Sequence, residues 1–244
     1  MDATRFDGRR VAVTGGAGGI GQAIARCLVA EGAEVYALDR KGLDDLPAHV
    51  RGFEIDLGSP ESVAQVVAAL YADDQRPVDL VTSAGIVEDD VAASGMPVEQ
   101  FDAVIGVNLR GVFLTCQAFG RELMARGGGA IVNIASMSGN AVVNYPQKQS
   151  AYNTSKAAVT ALTKSLAVEW GPAGVRVNAL SPGYVDTPLN HLKAHMHEAW
   201  KRDIVIDRFA TPEEVAGSVA FLLSDDASYY IGAELLMDGG YSLR

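Results

Sequence analysis

Residues 11–21 read VAVTGGAGGIG, and a helical pattern follows from Gln22 to Glu31. The apolar run predicts a short buried strand, and the glycines predict a tight turn into the helix. Such a unit can hold a phosphate, because glycine lets the backbone approach closely and the helix N-terminus offers amide hydrogens, although glycine loops also occur as plain turns. Two registers fit: Gly16-x-Gly18-x-x-Gly21 and Thr14-Gly15-x-x-x-Gly19-x-Gly21.

Strand patterns alternate with helical patterns along the rest of the chain. Such alternation predicts an α/β fold, a doubly wound parallel seven-stranded sheet with helices on both faces, formed as one domain over residues 1–244. Further strands are predicted at 34–38, 52–55, 79–82, 130–135, 175–180 and 233–237, and further helices at 60–71, 97–126, 152–170 and 211–223.

Composition limits the classes of partner. The formal charge of −10 argues against nucleic acid or an anionic membrane, because both need a basic face. The polar start MDATRFDGRR does not read as a signal peptide, and no apolar run approaches membrane-spanning length, so we expect a cytoplasmic protein. Cys27 and Cys116 offer neither a disulfide framework nor a CxxC metal site, and buried reduced thiols are expected.

Acidic residues follow two predicted strands. Asp39 lies 18 residues after Gly21, where a carboxylate can accept hydrogen bonds from both hydroxyls of an adenosine ribose and repel a 2′-phosphate. That position favours NAD over NADP, although the adjacent Arg40 could accommodate the phosphate. Asp56 follows the third strand, where its carboxylate could meet the adenine amine. An aspartate at a strand end is also an ordinary turn residue.

A hydroxyl, a phenol and an ammonium group come together in the centre of the chain. Ser136 ends the fifth predicted strand, and Tyr152 and Lys156 lie at the start of the next helix. Residues four apart share a helix face, so the lysine charge is predicted to lower the pKa of the tyrosine. Such a phenol could exchange a proton with an alcohol near neutral pH. Tyr-x-x-x-Lys also arises in helices by chance.

Three other segments carry polar or small residues that could have either a structural or a functional role. Small residues at 83–85 let a flat or sugar-like ligand lie against the backbone. Asn108 interrupts an apolar helix face, so it is either hydrogen-bonded structurally or functional. His191 and His195 could in principle hold a metal, but no Cys, Asp or Glu has matching spacing. We therefore expect no metal site and interpret residues 186–208 as a mobile lid over the substrate.

Taken in order, these motifs resemble the short-chain dehydrogenase/reductase family in its compact single-domain form. The match spans nearly the whole chain: TGGAGGIG at 14–21, Asp39, SAG at 83–85, Asn108, SMSG at 136–139, YNTSK at 152–156 and PG at 182–183. It favours the glycine register of Gly15, Gly19 and Gly21. The family usually has Asn-Asn-Ala-Gly where this chain has Thr-Ser-Ala-Gly at 82–85, so we expect reduced rigidity there.

The resemblance implies a role for each site residue. Tyr152 would be the general base in alcohol oxidation and the general acid in ketone reduction. Ser136 would fix the reacting oxygen, with Ser138 as its rival. Lys156 would hold the nicotinamide ribose, and Asn108 would hold a water that connects this lysine to solvent. The implied NAD site comprises Gly15, Gly19, Ile20, Gly21, Asp39, Arg40, Asp56, Leu57, Ser83, Ala84, Gly85, Tyr152, Lys156, Pro182, Gly183, Val185 and Thr187.

The amides of Asn144, Gln147 and Gln149 suit a substrate with several hydroxyls, although they could also simply satisfy the loop backbone. By resemblance, the segments SMSG, VNYPQ and AYNTSK look like the sugar-alcohol branch of the family. Alternatives are a 3-oxoacyl carrier-protein reductase or other ketoreductase, and a catalytically silent NAD-sensing protein. Self-association is expected by resemblance, most simply as a homotetramer. The predicted substrate residues are Ser136, Ser138, Asn144, Gln147, Tyr152 and Tyr184.

Overall fold

One parallel sheet forms the centre of the protein, of which a computed structural model describes residues 5–143, 146–191 and 194–244, with Leu189 described by its backbone alone. The strand order is β3-β2-β1-β4-β5-β6-β7, and every neighbouring pair is parallel. The predicted doubly wound, seven-stranded sheet is therefore confirmed. The strands are β1 (Arg10–Thr14), β2 (Glu34–Asp39), β3 (Val50–Glu54), β4 (Val78–Thr82), β5 (Gly129–Ile134), β6 (Val175–Pro182) and β7 (Glu234–Met237).

Helices connect the strands and cover both faces of the sheet. A π-helical segment over Gly106–Gly111 joins the third and fourth helices into one continuous run. The α-helices are α1 (Gly19–Ala30), α2 (Pro60–Leu70), α3 (Val98–Ile105), α4 (Val112–Ala125), α5 (Met137–Asn140), α6 (Ser150–Trp170), α7 (Pro188–His191), α8 (His197–Asp203) and α9 (Pro212–Leu223).

Two apolar cores lie on opposite faces of the sheet. Alternate residues of a strand point to opposite faces, so Ala12 enters one core while Val11 and Val13 enter the other. The first core is completed by α2, α4 and α6, and the second by α1 and α9. Strand order reverses between β1 and β4, and a crevice for a ligand opens outside the carboxyl ends of the strands at such a point.

Three elements differ from the sequence-based expectation. Helix α1 begins at Gly19, three residues earlier than predicted, which places its N-terminus inside the glycine loop. The π-helical segment interrupts the helix predicted over 97–126. Residues 186–208 contain α7 and α8, and Trp200 and Ile204 are buried there, so this part of the chain is less polar than a plain surface loop.

The run Val98–Ala125 is long and apolar enough to cross a membrane by length and composition, so the expectation that no such run exists is wrong. Its position in the fold gives a different account of its composition. Val112, Cys116, Phe119 and Leu123 of this run are buried in the first core, against the sheet. The run is a core helix of the folded domain.

Candidate active site

Two adjoining cavities open at the carboxyl ends of the strands. The larger has a volume of about 940 Å³ and follows the glycine loop and the ends of β2 and β4. The smaller, of about 180 Å³, lies beside Ser136 and Tyr152. Five residues line both: Ile20, Ser83, Gly85, Ile86 and Thr187.

The glycine loop is a cradle that side chains would fill. Gly15 has φ +67°, and a Cβ atom there would lie 2.7 Å from the Cα atom of Ala84. At Gly21 a Cβ atom would lie 2.1 Å from the carbonyl oxygen of Gly15. Gly19 starts α1 and lines the larger cavity together with Ile20. Gly16 also has no room, because its Cβ would lie 2.7 Å from that of Ala37. Both glycine registers therefore contain residues that the loop requires.

Asp39 joins the end of β2 to the glycine loop. Its Oδ2 atom accepts a hydrogen bond from the amide of Ala17 at 3.1 Å, and its Oδ1 atom accepts one from the amide of Arg40 at 2.8 Å. Arg40 is exposed and lines the larger cavity, as does Lys41, a second basic residue that the sequence analysis did not single out. The Asp39 carboxylate therefore shares this cavity with two basic side chains.

Asp56 and Leu57 line the larger cavity beyond the end of β3. Asp56 Oδ1 accepts a hydrogen bond from the amide of Gly58 at 2.9 Å, which holds the carboxyl group in the turn. The glycine loop, the N-terminus of α1 and the Asp39 carboxylate at the end of β2 are features that suit the pyrophosphate and ribose of a dinucleotide. The residues present therefore fit a nicotinamide dinucleotide.

Ser136 and Ser138 both present hydroxyl groups to the smaller cavity. Ser136 follows β5 and caps α5, and its Oγ atom accepts a hydrogen bond from the amide of Ser138 at 3.2 Å. The two Oγ atoms are 3.0 Å apart. A hydrogen bond from Ser136 also lowers the pKa of Tyr152. Since only Ser136 has this link to the phenol, the geometry favours it over Ser138 as the catalytic hydroxyl.

The pKa of Tyr152 departs from the sequence-based expectation. Burial raises it, and the nearby carboxylate of Glu88 raises it further, while only Ser136 acts in the opposite direction. The predicted lowering by Lys156 is therefore wrong for the groups of this chain. The reason is geometric: Lys156 Nζ lies 5.7 Å from the centroid of the tyrosine ring and donates a 2.7 Å hydrogen bond to the carbonyl of Ile134.

Lys156 carries a perturbed pKa of its own. Its side chain is 4% exposed, and burial lowers its pKa from 10.5 to about 8. A Cβ atom at Gly85 would lie 3.6 Å from Lys156 Nζ, so this glycine keeps the wall of the site close to the ammonium group. The lysine lines the smaller cavity beside Tyr152.

Asn108 lies in the π-helical segment and is fully buried. Its Oδ1 atom accepts a hydrogen bond from the amide of Ile86 at 2.8 Å, and Nδ2 donates to the carbonyl of Ile86 at 2.8 Å and to Ser155 Oγ at 3.1 Å. The side chain therefore fixes a residue that lines both cavities. Its role in holding a water stays a prediction.

The end of β6 and the residues that follow it form part of the site. Pro182, Gly183, Val185 and Thr187 all line the smaller cavity. At Gly183 a Cβ atom would lie 2.8 Å from the Cα atom of Asp238, so the backbone here packs against the residue that follows β7.

Tyr184 belongs to an aromatic cluster that includes Trp200 and Phe209. Its ring stacks on Trp200 with centroids 4.3 Å apart, and its hydroxyl donates to Gln147 Oε1 at 3.0 Å. Tyr184 and Gln147 both line the smaller cavity. Asn144, the other amide predicted to bind substrate, lies outside the described residues. Asn190 also lines this cavity and escaped the sequence analysis, because nothing in its local pattern distinguishes it.

His191 and His197 bond to residues of their own segment. His191 Nε2 is 2.6 Å from Asp186 Oδ1, and His197 Nε2 is 3.0 Å from the carbonyl oxygen of Asn190. Within the ranges that the structure describes, no three His, Cys, Asp or Glu side chains come together as metal ligands.

The chain matches known proteins along nearly its whole length. A family model described as Enoyl-(Acyl carrier protein) reductase matches residues 15–242. Similar relatives include D-threitol dehydrogenase of Mycolicibacterium smegmatis, 39% identical over 98% of this chain and 95% of that one. Galactitol 2-dehydrogenase of Rhizobium johnstonii is 40% identical over 98% and 96%. NAD-dependent glycerol dehydrogenase of Listeria innocua is 37% identical over 95% and 93%.

Solved structures share the whole fold. A short-chain type dehydrogenase/reductase from Mycobacterium marinum has a TM-score of 0.94 at 36% identity, covering 100% of this chain and 99% of that one. A structure from Agrobacterium tumefaciens with bound NADP has a TM-score of 0.86 at 33% identity, covering 100% of both chains.

The dinucleotide cradle and the serine, tyrosine and lysine beside it define an oxidoreductase that uses a nicotinamide cofactor on a CH–OH group. The chain belongs to the short-chain dehydrogenase/reductase family, and its full-length relatives include enzymes named for polyols. The resemblance stated from the motifs is confirmed.

Proposed function

We propose that this protein is an NAD-dependent dehydrogenase that interconverts a secondary alcohol of a polyol or sugar and the corresponding ketone. One observation carries the proposal: Ser136 and Tyr152 face a small cavity that continues directly into the glycine-lined cradle. An alcohol bound in the small cavity would therefore lie between a proton acceptor and the cofactor site.

Each site residue has a separate role in the proposed reaction. When bound, the nicotinamide exchanges a hydride with the carbinol carbon. The Tyr152 hydroxyl exchanges the proton of the alcohol oxygen, and Ser136 donates a hydrogen bond that positions this oxygen. Lys156 would hold the nicotinamide ribose, and Val185 and Thr187 would meet the carboxamide. These assignments are predictions of the family resemblance that the cavity positions support.

The lining of the small cavity favours a substrate with several hydroxyls. Ser138, Gln147, Gln149 and Asn190 bring hydroxyl and amide groups to it. A substrate with several hydroxyls can exchange hydrogen bonds with such groups, whereas a purely apolar ligand cannot. Relatives named for galactitol, threitol and glycerol agree with this chemistry.

Asp39 supports NAD as the cofactor, because its carboxylate lies at the end of β2 beside the glycine loop, where it would bond the ribose hydroxyls and repel a 2′-phosphate. The relative named as NAD-dependent agrees with this choice. Arg40 and Lys41 act in the opposite sense, and a structural neighbour holds NADP. We propose NAD because the aspartate ends β2 and is fixed by two backbone amides, whereas the Arg40 side chain is exposed.

We extend the proposal to assembly, lid and compartment. Exposed apolar side chains on α4, α6 and β7, namely Phe113, Val168 and Leu236, suit contacts between subunits of a homotetramer. Residues 186–208 act as a lid over the substrate, since Thr187 and Asn190 line the cavity. A cytoplasmic location agrees with an enzyme that draws on a soluble cofactor.

A substrate panel tests the proposal. The purified enzyme is assayed for NADH formation with galactitol, threitol, arabinitol, xylitol, mannitol and glycerol, and with 3-hydroxyacyl thioesters, each with NAD or NADP. Reduction of 3-oxoacyl and enoyl thioesters is measured in parallel. Turnover of polyols with NAD is expected. Preference for acyl thioesters would favour a carrier-protein reductase, and no turnover of any substrate would favour an NAD-sensing protein.

A further inference from the structure

A buried carboxylate from a distant loop caps the helix that carries Tyr152. Glu88 lies in the loop after β4 and is 3% exposed. Its Oε1 atom accepts a hydrogen bond from the amide of Ala151 at 2.8 Å, and both oxygens contact the amide of Tyr152, at 3.2 and 3.0 Å. The cap residue of this helix, Gln149, makes no side-chain capping bond of its own.

This cap differs from those of the neighbouring helices. Ser59 caps α2 and Thr211 caps α9, each with its own hydroxyl group from the position before the helix. The first turn of α6 instead receives an ionisable group from 64 residues earlier in the chain. First-turn amides and the helix dipole stabilise an anion, which explains how a carboxylate can be buried at this point.

The loop that carries Glu88 is fixed on both sides. Asn108 bonds both the amide and the carbonyl of Ile86, two residues before it. Asp90 Oδ1 accepts a hydrogen bond from the amide of Lys148 at 3.0 Å, two residues after it. Since Ile86 lines both cavities, a short rigid segment connects the cavity wall to the backbone of Tyr152.

We propose that Glu88 is a positioning residue for the reaction: by holding the backbone amide of Tyr152, it sets where the phenol stands relative to Ser136 and the cavity. The inference rests on the proposed function, in which Tyr152 transfers the proton. Glu88 does not line either cavity, so it acts through the tyrosine and not on the substrate.

The charge of Glu88 adds a second effect that a neutral cap would not have. Its carboxylate raises the pKa of Tyr152, in the same direction as burial. The other groups that face the phenol are the Ser136 hydroxyl, which lowers that pKa, and the Lys156 ammonium group, 5.7 Å from the ring centroid. Glu88 therefore fixes the position of the phenol and keeps it protonated to higher pH.

Two variants separate position from charge. Glu88→Gln keeps an acceptor oxygen at the same reach but removes the charge. We expect kcat near the pH optimum to stay within about threefold, and the acidic limb of the kcat profile for alcohol oxidation to move down by about half a pH unit or more. Glu88→Asp keeps the charge but shortens the side chain by one methylene. We expect kcat to fall about tenfold or more, with unchanged NADH binding, because a small misplacement of a catalytic group is costly.

The control is Glu99→Gln, which makes the same change at an exposed position in the first turn of α3. Amide hydrogen exchange at residues 150–153 reports the cap independently of activity. A Glu88→Gln profile that coincides with wild type would overturn the proposal, as would a Glu88→Asp variant with normal kcat. If Glu88→Asp fails to fold, the pH limb of Glu88→Gln decides alone. Failure of the polyol proposal would appear separately, in the substrate profile of the wild-type enzyme, and the variants are then compared on whichever alcohol it oxidises.

Discussion

The hydroxyl of Thr82 donates a 2.7 Å hydrogen bond to Oδ1 of Asn133, which joins the end of β4 to the end of β5 beneath the active site. Asn133 Nδ2 then donates to Thr163 Oγ1 at 2.9 Å, so the chain of bonds continues into α6. All three side chains are buried. In this protein, the brace below the Ser-Ala-Gly segment is made by a threonine and by an asparagine from the neighbouring strand.

The brace predicts a stability effect at Thr82. Thr82→Val keeps the shape of the side chain but leaves the buried Asn133 oxygen with only a 3.4 Å contact from the Cys116 thiol. A buried acceptor that loses its partner costs about 1–3 kcal/mol, and we expect a loss of this size in the free energy of unfolding. Urea denaturation measures it. Thr82→Ser, which keeps the hydroxyl, is the control, and equal stability of both variants would contradict the role of the brace.

The parts of the fold and site that depend on residues close together in the chain could be predicted from the sequence. Strand β1, the glycine loop and Asp39 follow one another within 30 residues, Arg10 to Asp39, so their spacing alone predicts which groups meet at the sheet edge. The parallel fold then brings Ser136 and Tyr152 to the same edge, because the carboxyl ends of parallel strands share it.

Contacts between distant residues could not be predicted in this way. The bonds from Asn108 to Ile86 stabilise a π-helical segment that no periodicity indicates. The direction of the Tyr152 pKa depends on burial and on Glu88, neither of which can be inferred from the spacing of Tyr152 and Lys156. Such features arise from packing, which sets the local environment after the secondary structure is fixed.

Gly21 provides a test of the dinucleotide cradle. A Cβ atom at this position would lie 2.1 Å from the carbonyl oxygen of Gly15, so Gly21→Ala must displace the loop backbone. We expect the Kd for NADH to rise about tenfold or more, because the loop amides would contact the phosphates directly. Protein fluorescence quenching measures binding. Gly217→Ala in α9, where a Cβ would meet nothing within 4 Å, is the matched control and should bind NADH normally.

Asp39 is expected to set the cofactor preference. Asp39→Ala removes the carboxylate that would repel a 2′-phosphate and leaves Arg40 and Lys41 in the same cavity. We expect the ratio of kcat/KM for NAD over NADP to fall about tenfold or more. Steady-state kinetics with both cofactors measures the ratio. Arg40→Ala should move it in the opposite direction, and an unchanged ratio in Asp39→Ala would count against the assignment.

Tyr152→Phe removes the hydroxyl that we propose transfers the proton, and keeps the ring. We expect NADH to bind as in wild type and kcat to fall at least about a hundredfold, the usual contribution of general acid–base catalysis. Fluorescence binding and initial rates test the two parts separately. Tyr184→Phe, which removes a hydroxyl that donates to Gln147, should change KM more than kcat. A near-normal rate in Tyr152→Phe would reject this tyrosine as the acid–base group.

Lys156 links the active site to the pH dependence of stability. Burial lowers its folded-state pKa from 10.5 to about 8, so between these two values the unfolded state binds more protons than the folded state. The free energy of unfolding therefore gains from this group as pH rises through that window, and below about pH 8 the buried charge costs its full amount. The cost is of the order of 3 kcal/mol, at about 1.4 kcal/mol per pKa unit.

Lys156→Met isolates this contribution, because the tyrosines and cysteines that titrate at alkaline pH are common to both proteins and cancel in the difference. Near pH 7 the variant gains stability because it has no buried charge. It also loses the 2.7 Å hydrogen bond to the carbonyl of Ile134, which makes that gain smaller. The variant's advantage should shrink by about 3 kcal/mol between pH 8 and 10.5. Urea denaturation of both proteins across this range measures the change, and a difference in unfolding free energy that stays constant with pH would show that Lys156 is not perturbed by burial.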